Sequence, residues 1–128
     1  MILVDTSIWI EFLNRREPFC NYMLYLLKHR EVMALEPIFA ELLQGASGEE
    51  EIQLLTDYFN SLEKPELENL LIKAGTNSSK DRWFAKGLGI IDAAILSASL
   101  LTKTPLWTLD KNLKRLTPEQ LVYEPTLA

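Results

Sequence analysis

Four carboxylates sit where the hydrophobic pattern of this chain turns: Asp5, Glu41, Asp92 and Asp110. Asp5 closes the apolar run Ile2-Leu3-Val4, and Asp110 closes Pro105-Leu106-Trp107-Thr108-Leu109. Glu41 lies inside Pro37-Ile38-Phe39-Ala40-Glu41-Leu42-Leu43, and Asp92 interrupts Leu88-Gly89-Ile90-Ile91-Asp92-Ala93-Ala94-Ile95-Leu96. Acids with so many apolar neighbours are not expected to be fully hydrated, and a desolvated carboxylate is costly without a partner. The basic residues lie mostly elsewhere, so the natural partner for acids gathered in one place is a hard, oxygen-seeking cation. Divalent ions supply an activated water and offset charge on a phosphoryl transition state, and a pair ~4 Å apart serves attacking and leaving oxygens. Magnesium keeps several waters, so three or four carboxylates suffice without His or Cys. The pattern outlines a metal-dependent hydrolytic site.

The elements that must position these acids alternate between strand and helix. Ile2 to Val4 reads as a short strand buried on both faces of a parallel sheet. Asp5-Thr6-Ser7 supplies cap-type side chains before Ile8, Trp9, Phe12 and Leu13, which recur at helical spacing. Pro18 opens a helix with Phe19, Tyr22, Met23, Leu26 and Leu27, Val32 to Leu35 is a second strand, and Pro37 opens the helix holding Glu41. Ser47-Gly48-Glu49-Glu50 matches a capping box, ahead of a helix with Ile52, Leu55, Tyr58, Phe59 and Leu62 inward. Leu67, Leu70, Leu71 and Ala74 continue a helical period after Pro65, and Gly75-Thr76-Asn77-Ser78-Ser79 reads as a polar break, either a loop or a helix joint. A helix through Trp83 and Phe84 ends at a glycine cap near Lys86-Gly87, and Ile90 to Leu101 is a deeply packed helix with Ile91, Ala94, Ala98 and Leu101 as its main stripe. Leu106 to Leu109 is a third strand, Asn112 to Leu116 a short helix, and Leu121 to Tyr123 an edge strand. The expected architecture is α/β, a three-layer domain with a small parallel β-sheet flanked by helices. Ligands of such sheets collect beyond the carboxyl ends of the strands. Asp5 and Asp110 fall at that end, and the helices bearing Glu41 and Asp92 begin there, so all four acids can meet in one pocket.

Bulk properties bound the answer. The chain has 128 residues, 48% of them apolar, enough for one core and a single domain over 1–128. Eighteen acids against thirteen bases give a net charge of −5. That sign opposes nucleic-acid binding unless metals neutralise some acids or the bases are segregated on one face. One cysteine, Cys20, cannot form an internal disulfide, which favours a reducing compartment. No apolar run is long enough to span a membrane, so a soluble, cytoplasmic protein is expected. His29 lies in Lys28-His29-Arg30 at a helix end and reads as a surface or capping residue.

The stretches Val4-Asp5-Thr6-Ser7-Ile8-Trp9-Ile10, Ala40-Glu41-Leu42-Leu43-Gln44-Gly45, Ile91-Asp92-Ala93-Ala94-Ile95 and Trp107-Thr108-Leu109-Asp110 resemble the four acidic motifs of PIN-domain ribonucleases. Within that family the resemblance is to the VapC toxins of bacterial and archaeal toxin–antitoxin pairs, and it covers essentially the whole chain. It implies a PIN-like fold, Mg²⁺ or Mn²⁺ bound by Asp5, Glu41, Asp92 and Asp110, and endonucleolytic cleavage of RNA. It also implies a supporting hydroxyl from Thr6 or Ser7, a homodimer, and a small VapB-like antitoxin. Asn112 stands two residues beyond Asp110 and can complete the site in its place; Asp110 is preferred because it is charged and ends the strand. An arginine-bearing antitoxin segment is expected at the site, with Trp9, Phe12 and Leu13 near its groove.

Other readings compete. Asp5 and Asp92 can cap their helices, Glu41 can sit in a solvated turn, and Asp110 can start the turn before Lys111. Glu49-Glu50-Glu51 complements a helix dipole. Trp9, Trp83 and Phe84 read as core or dimer contacts rather than base-stacking platforms. Arg15, Arg16, Lys80, Arg82, Lys86, Lys111, Lys114 and Arg115 are the bases able to reach phosphates, and single-stranded or looped RNA suits a narrow acidic pocket better than a rigid duplex. A phosphoacceptor domain wants paired acids after the first strand, where Thr6-Ser7 stand. A phosphatase with an aspartate nucleophile wants a second aspartate at Ser7. A stand-alone RNA-processing nuclease and a catalytically inactive PIN-like binding module are the remaining alternatives.

Overall fold

The wholly apolar strand lies where its burial demands, at the centre of the sheet. In the computed structural model, which describes residues 1–125, β1 (Ile2–Val4) lies between β2 (Val32–Met33) and β3 (Leu106–Trp107), all parallel. Ile2 pairs with Val32, and Val4 with Trp107, and the three β1 side chains are buried. Seven helices flank the sheet: α1 (Thr6–Leu13), α2 (Phe19–Lys28), α3 (Glu36–Gln44), α4 (Glu49–Ser61), α5 (Leu70–Asp81), α6 (Ile90–Thr102) and α7 (Lys111–Leu116). The Asp5 amide donates to the Trp107 carbonyl at 3.0 Å, carrying the pairing one residue past the strand and fixing the backbone from which the first acid projects.

Strands two and three are shorter than the apolar runs. After Met33, the Ala34 amide turns to the Glu63 carbonyl at 2.8 Å, and Leu35 becomes the N-cap of α3. After Trp107 the backbone leaves the ladder and Thr108 enters a side-chain network described below. The expected edge strand at 121–123 reduces to one parallel bridge between Leu106 and Val122, next to a single 3₁₀ turn at Glu119–Leu121.

The core joins both sides of the sheet, with Trp9 at its densest point. Trp9 is fully buried and packs edge-on against Phe12 and Phe39, with ring centroids 5.8 and 5.1 Å away, and tilted against Tyr58 at 5.4 Å. Its Nε1 is buried and has no hydrogen-bond partner among the described residues.

Three expectations about helices are corrected. Gly75 to Ser79 is no break but lies within α5, which packs along α6. Ala74 is buried, and Asn77 Nδ2 donates to Ser97 Oγ at 3.2 Å, so tertiary contact overrides weak helix formers. The irregular stretch comes earlier, through Pro65, and ends at Asn69 in the left-handed region. The capping box does not form. Gly48 is the N-cap of α4, and the Ser47 hydroxyl donates to the Glu51 carboxylate at 2.8 Å. Finally, α6 carries no single stripe, since every residue from Ala93 to Ser99 is buried, whereas Leu101 is exposed. Ile52 of α4 is exposed as well.

Between α5 and α6, one 3₁₀ turn (Phe84–Lys86) ends at Gly87 with φ of +92°, as a glycine cap requires. A Cβ there meets Asn112 Nδ2 at 2.9 Å. Gly87→Ala is therefore expected to lower stability by about 1–2 kcal/mol in urea unfolding. Adding Asn112→Ala should restore only the part due to the contact. An unchanged midpoint in Gly87→Ala would contradict this account of the turn.

Candidate functional site

Asp5 is buried, with 4% of its surface exposed, at the carboxyl end of the central strand. It occupies the N-cap position of α1, yet its side chain makes no capping bond, so capping does not explain it. Its Oδ2 instead accepts from Thr108 Oγ1 at 2.6 Å and from Ser7 Oγ at 3.0 Å. Both hydroxyls are themselves anchored: the Leu109 amide donates to Ser7 Oγ and the Asp110 amide to Thr108 Oγ1, each at 3.0 Å. The network ties the end of β1 to the segment after β3. Asp5 Oδ1 takes no hydrogen bond among the described residues and keeps contact with solvent.

The other three acids approach from separate helices. Glu41, on the exposed side of α3, accepts from Thr6 Oγ1 at 2.8 Å, which links α3 to the start of α1. Asp110 is the N-cap of α7, and its Oδ1 accepts from the Leu113 amide at 2.9 Å, so here the capping reading holds for one oxygen. Asp92 lies in the first turn of α6, where the helix dipole favours a negative charge. Despite the dipole its carboxyl is pushed up to about 6, first by burial, then by the charges of Asp5, Asp110 and Glu41. Asp92 thus feels the other three acids across the carboxyl end of the sheet. Among the described residues none of them forms an ion pair with a Lys, Arg or His.

The arrangement is open rather than closed. Among the described residues, no three His, Cys, Asp or Glu side chains come close enough together to hold a metal ion as they stand. Coulomb repulsion acts over longer distances than a coordination bond, so the two observations agree. The donor set still suits a hard cation: it is all oxygen, its charge is uncompensated, Asp5 Oδ1 is open, and Glu41 and Asp110 are exposed.

Supporting residues divide. Thr6 holds Glu41 and Ser7 holds Asp5, whereas the Asn112 carboxamide sits over Gly87. Sequence reasoning missed Thr108, although a hydroxyl residue two positions before Asp110 at a strand end was a usable signal. Glu41 also lines a groove of 240 Å³ with Ile10, Leu13 and Glu51. Trp9 and Phe12 belong to the core and not to this groove, and only Leu13 of the expected trio reaches it. His29 ends α2, its Nδ1 2.8 Å from the Tyr25 carbonyl, in keeping with a capping role. Among the described residues no helix is long and apolar enough to cross a membrane.

A raised native pKa means the folded protein binds this proton more tightly than the unfolded chain does. The contribution of Asp92 to stability therefore rises as pH falls from about 6 toward the ordinary carboxylate range. Solvent screening at this half-exposed position limits the effect to about 1 kcal/mol. Urea melts with chelator across that window should show the rise in the unmutated protein and its absence in Asp92→Asn. Identical pH profiles would contradict the electrostatic coupling.

The PIN domain family model matches residues 2–117. Ribonuclease VapC32 from Mycobacterium tuberculosis, in strains CDC 1551 / Oshkosh and ATCC 25618 / H37Rv, is 32% identical over 117 residues, covering 89% of this chain and 88% of the relative. The fold is similar to that in the crystal structure of VapBC2 from Rickettsia felis bound to a DNA fragment from their promoter, with a TM-score of 0.71 and 23% identity over 97% of this chain and 98% of that one. A family match over nearly the whole length and a parallel sheet ringed by helices lead to one conclusion: the chain belongs to the PIN-domain family.

Proposed function

We propose that this protein is a Mg²⁺- or Mn²⁺-dependent endoribonuclease, the toxin of a VapBC-type toxin–antitoxin pair, formed as one PIN-like domain over 1–128. The observation that supports the reading is the uncompensated set of four carboxylates, with Asp92 raised first by burial and then by the charges of the other three. A relative named Ribonuclease VapC32 supports RNA as the substrate, and the VapBC2 neighbour supports a VapB-like partner. Homodimerisation and a cytoplasmic site of action belong to the same proposal.

In this reading Asp5, Glu41, Asp92 and Asp110 hold the cation, which supplies an activated water and offsets charge on the phosphoryl transition state. The chain's own groups do the positioning. Thr108 and Ser7 fix one oxygen of Asp5 and leave the other open to solvent. Thr6 steadies Glu41, and the α7 N-terminus takes one oxygen of Asp110. Asp110 is preferred to Asn112, which is uncharged and whose carboxamide lies close to Gly87. The groove of Ile10, Leu13, Glu41 and Glu51 suits a basic antitoxin side chain bordering the site.

Two substitutions test the site. Asp5→Asn, nearly isosteric, should lower RNA cleavage at least about a hundredfold while leaving thermal stability unchanged or raised, since it relieves repulsion. Mn²⁺ should raise the melting temperature of the unmutated protein more than that of the variant. Near-normal cleavage by Asp5→Asn would defeat the four-acid site, and no metal-dependent cleavage of any RNA by the unmutated protein would favour an inactive binding module. Thr108→Val keeps the shape but removes the 2.6 Å hydrogen bond to Asp5. It should weaken Mn²⁺ binding about 10–100-fold by calorimetry. Unaltered affinity would show that the hydroxyl network does not hold the ligand.

A further inference from the structure

The net charge of −5 poses a problem that the positions of the bases resolve. Six of the thirteen Lys and Arg residues fall in two short segments: Lys80, Arg82 and Lys86, and Lys111, Lys114 and Arg115. One acid, Asp81, lies within these segments. The two segments touch, because Arg115 Nη2 donates to the Lys86 carbonyl at 3.1 Å and Asn112 sits over Gly87. All six bases are exposed, and among the described residues only Lys114 is ion-paired, with Glu124.

Between Arg82 and Lys86 stands Phe84, which is 83% exposed, so of the core and dimer-contact readings the core one does not hold. The turn presenting it is rigidly built. Trp83 and Leu88 on either side are buried, the Leu88 amide donates to the Trp83 carbonyl at 3.0 Å, and Gly87 closes the turn in the left-handed region. The chain then runs directly into α6, whose first turn bears Asp92, and α7 begins immediately after Asp110. The turn that exposes Phe84 among mostly unpaired cations thus leads into the helix bearing Asp92 and touches the helix that follows Asp110.

We infer that Phe84 and the surrounding bases form the surface on which the single-stranded RNA substrate lies, Phe84 stacking on an unpaired base and Lys80, Lys86 and Lys111 meeting phosphates. Stacking tolerates any base, and cations track the backbone, the combination expected of a single-strand track. The inference deepens the nuclease reading and rests on it for the identity of the ligand. It separates the chain's charge by task, with acids for the cation and a basic shelf for the polymer.

The test is equilibrium binding of a short fluorescein-labelled single-stranded RNA of mixed sequence, in chelator so that no cleavage intervenes. Phe84→Ala should weaken binding about tenfold. Lys86→Gln and Lys111→Gln should each reduce the slope of log affinity against log salt by about 0.7. Asp5→Asn should bind the probe at least as well as the unmutated protein while failing to cleave, which separates this inference from the nuclease reading. The same RNA as a duplex should bind more weakly and with no loss in Phe84→Ala. Unchanged single-strand binding in Phe84→Ala and both lysine variants overturns the shelf, whatever the cleavage results. So does a Phe84→Ala protein that binds RNA normally but changes oligomeric state in light scattering, since Phe84 would then be a protein contact.

Discussion

Repulsion among four carboxylates at one end of a small parallel sheet is the constraint around which the structure is arranged. Each acid is brought there by a different element, and each is restrained locally: Asp5 by two hydroxyls, Glu41 by Thr6, Asp110 by the amide of Leu113, and Asp92 by its place in the first turn of α6. Such restraints satisfy lone pairs but do not cancel charge. The consequence falls on Asp92, raised to about 6 even at a helix N-terminus, first by burial and then by the charges of the other three acids. Strain of this kind persists when the surrounding fold over-determines the geometry, and it marks functional positions.

That over-determination starts from β1. Three buried apolar residues place the strand between two neighbours, and one further backbone bond, from Asp5 to Trp107, sets the acid against the Thr108 segment. The hydroxyls of Ser7 and Thr108 then couple positions a hundred residues apart in sequence. Removing water from a carboxylate is tolerable when donors are supplied at fixed positions, and the strand ends supply them.

Much of this was legible in the sequence because it follows from short-range rules. The apolar run at Ile2 to Val4, the helix spacing after Asp5, the glycine ending the turn at Gly87 and the four acids at pattern breaks all depend on local chemistry, and the family match bears out the PIN resemblance. What was not legible depends on partners remote in sequence. Gly75 to Ser79 look like a break until α6 is there to receive them, and Asn77 finds Ser97. Ser47 looks like a cap until Glu51 takes its hydroxyl. Trp83 and Phe84 look alike as core or dimer contacts in the sequence, yet a single 3₁₀ turn buries the first ring and exposes the second. Thr108 escaped notice because its role exists only once β1 and β3 pair.

The account stands on the claim that the four acids together bind divalent cation. Calorimetric titration with Mn²⁺ of the unmutated protein, of the four single variants Asp5→Asn, Glu41→Gln, Asp92→Asn and Asp110→Asn, and of Glu51→Gln as a nearby acid outside the set tests it most directly. The prediction is saturable binding that weakens in all four variants and is preserved in Glu51→Gln. Absence of Mn²⁺ binding to the unmutated protein, or binding that is indifferent to Asp5 and Asp92, would contradict it.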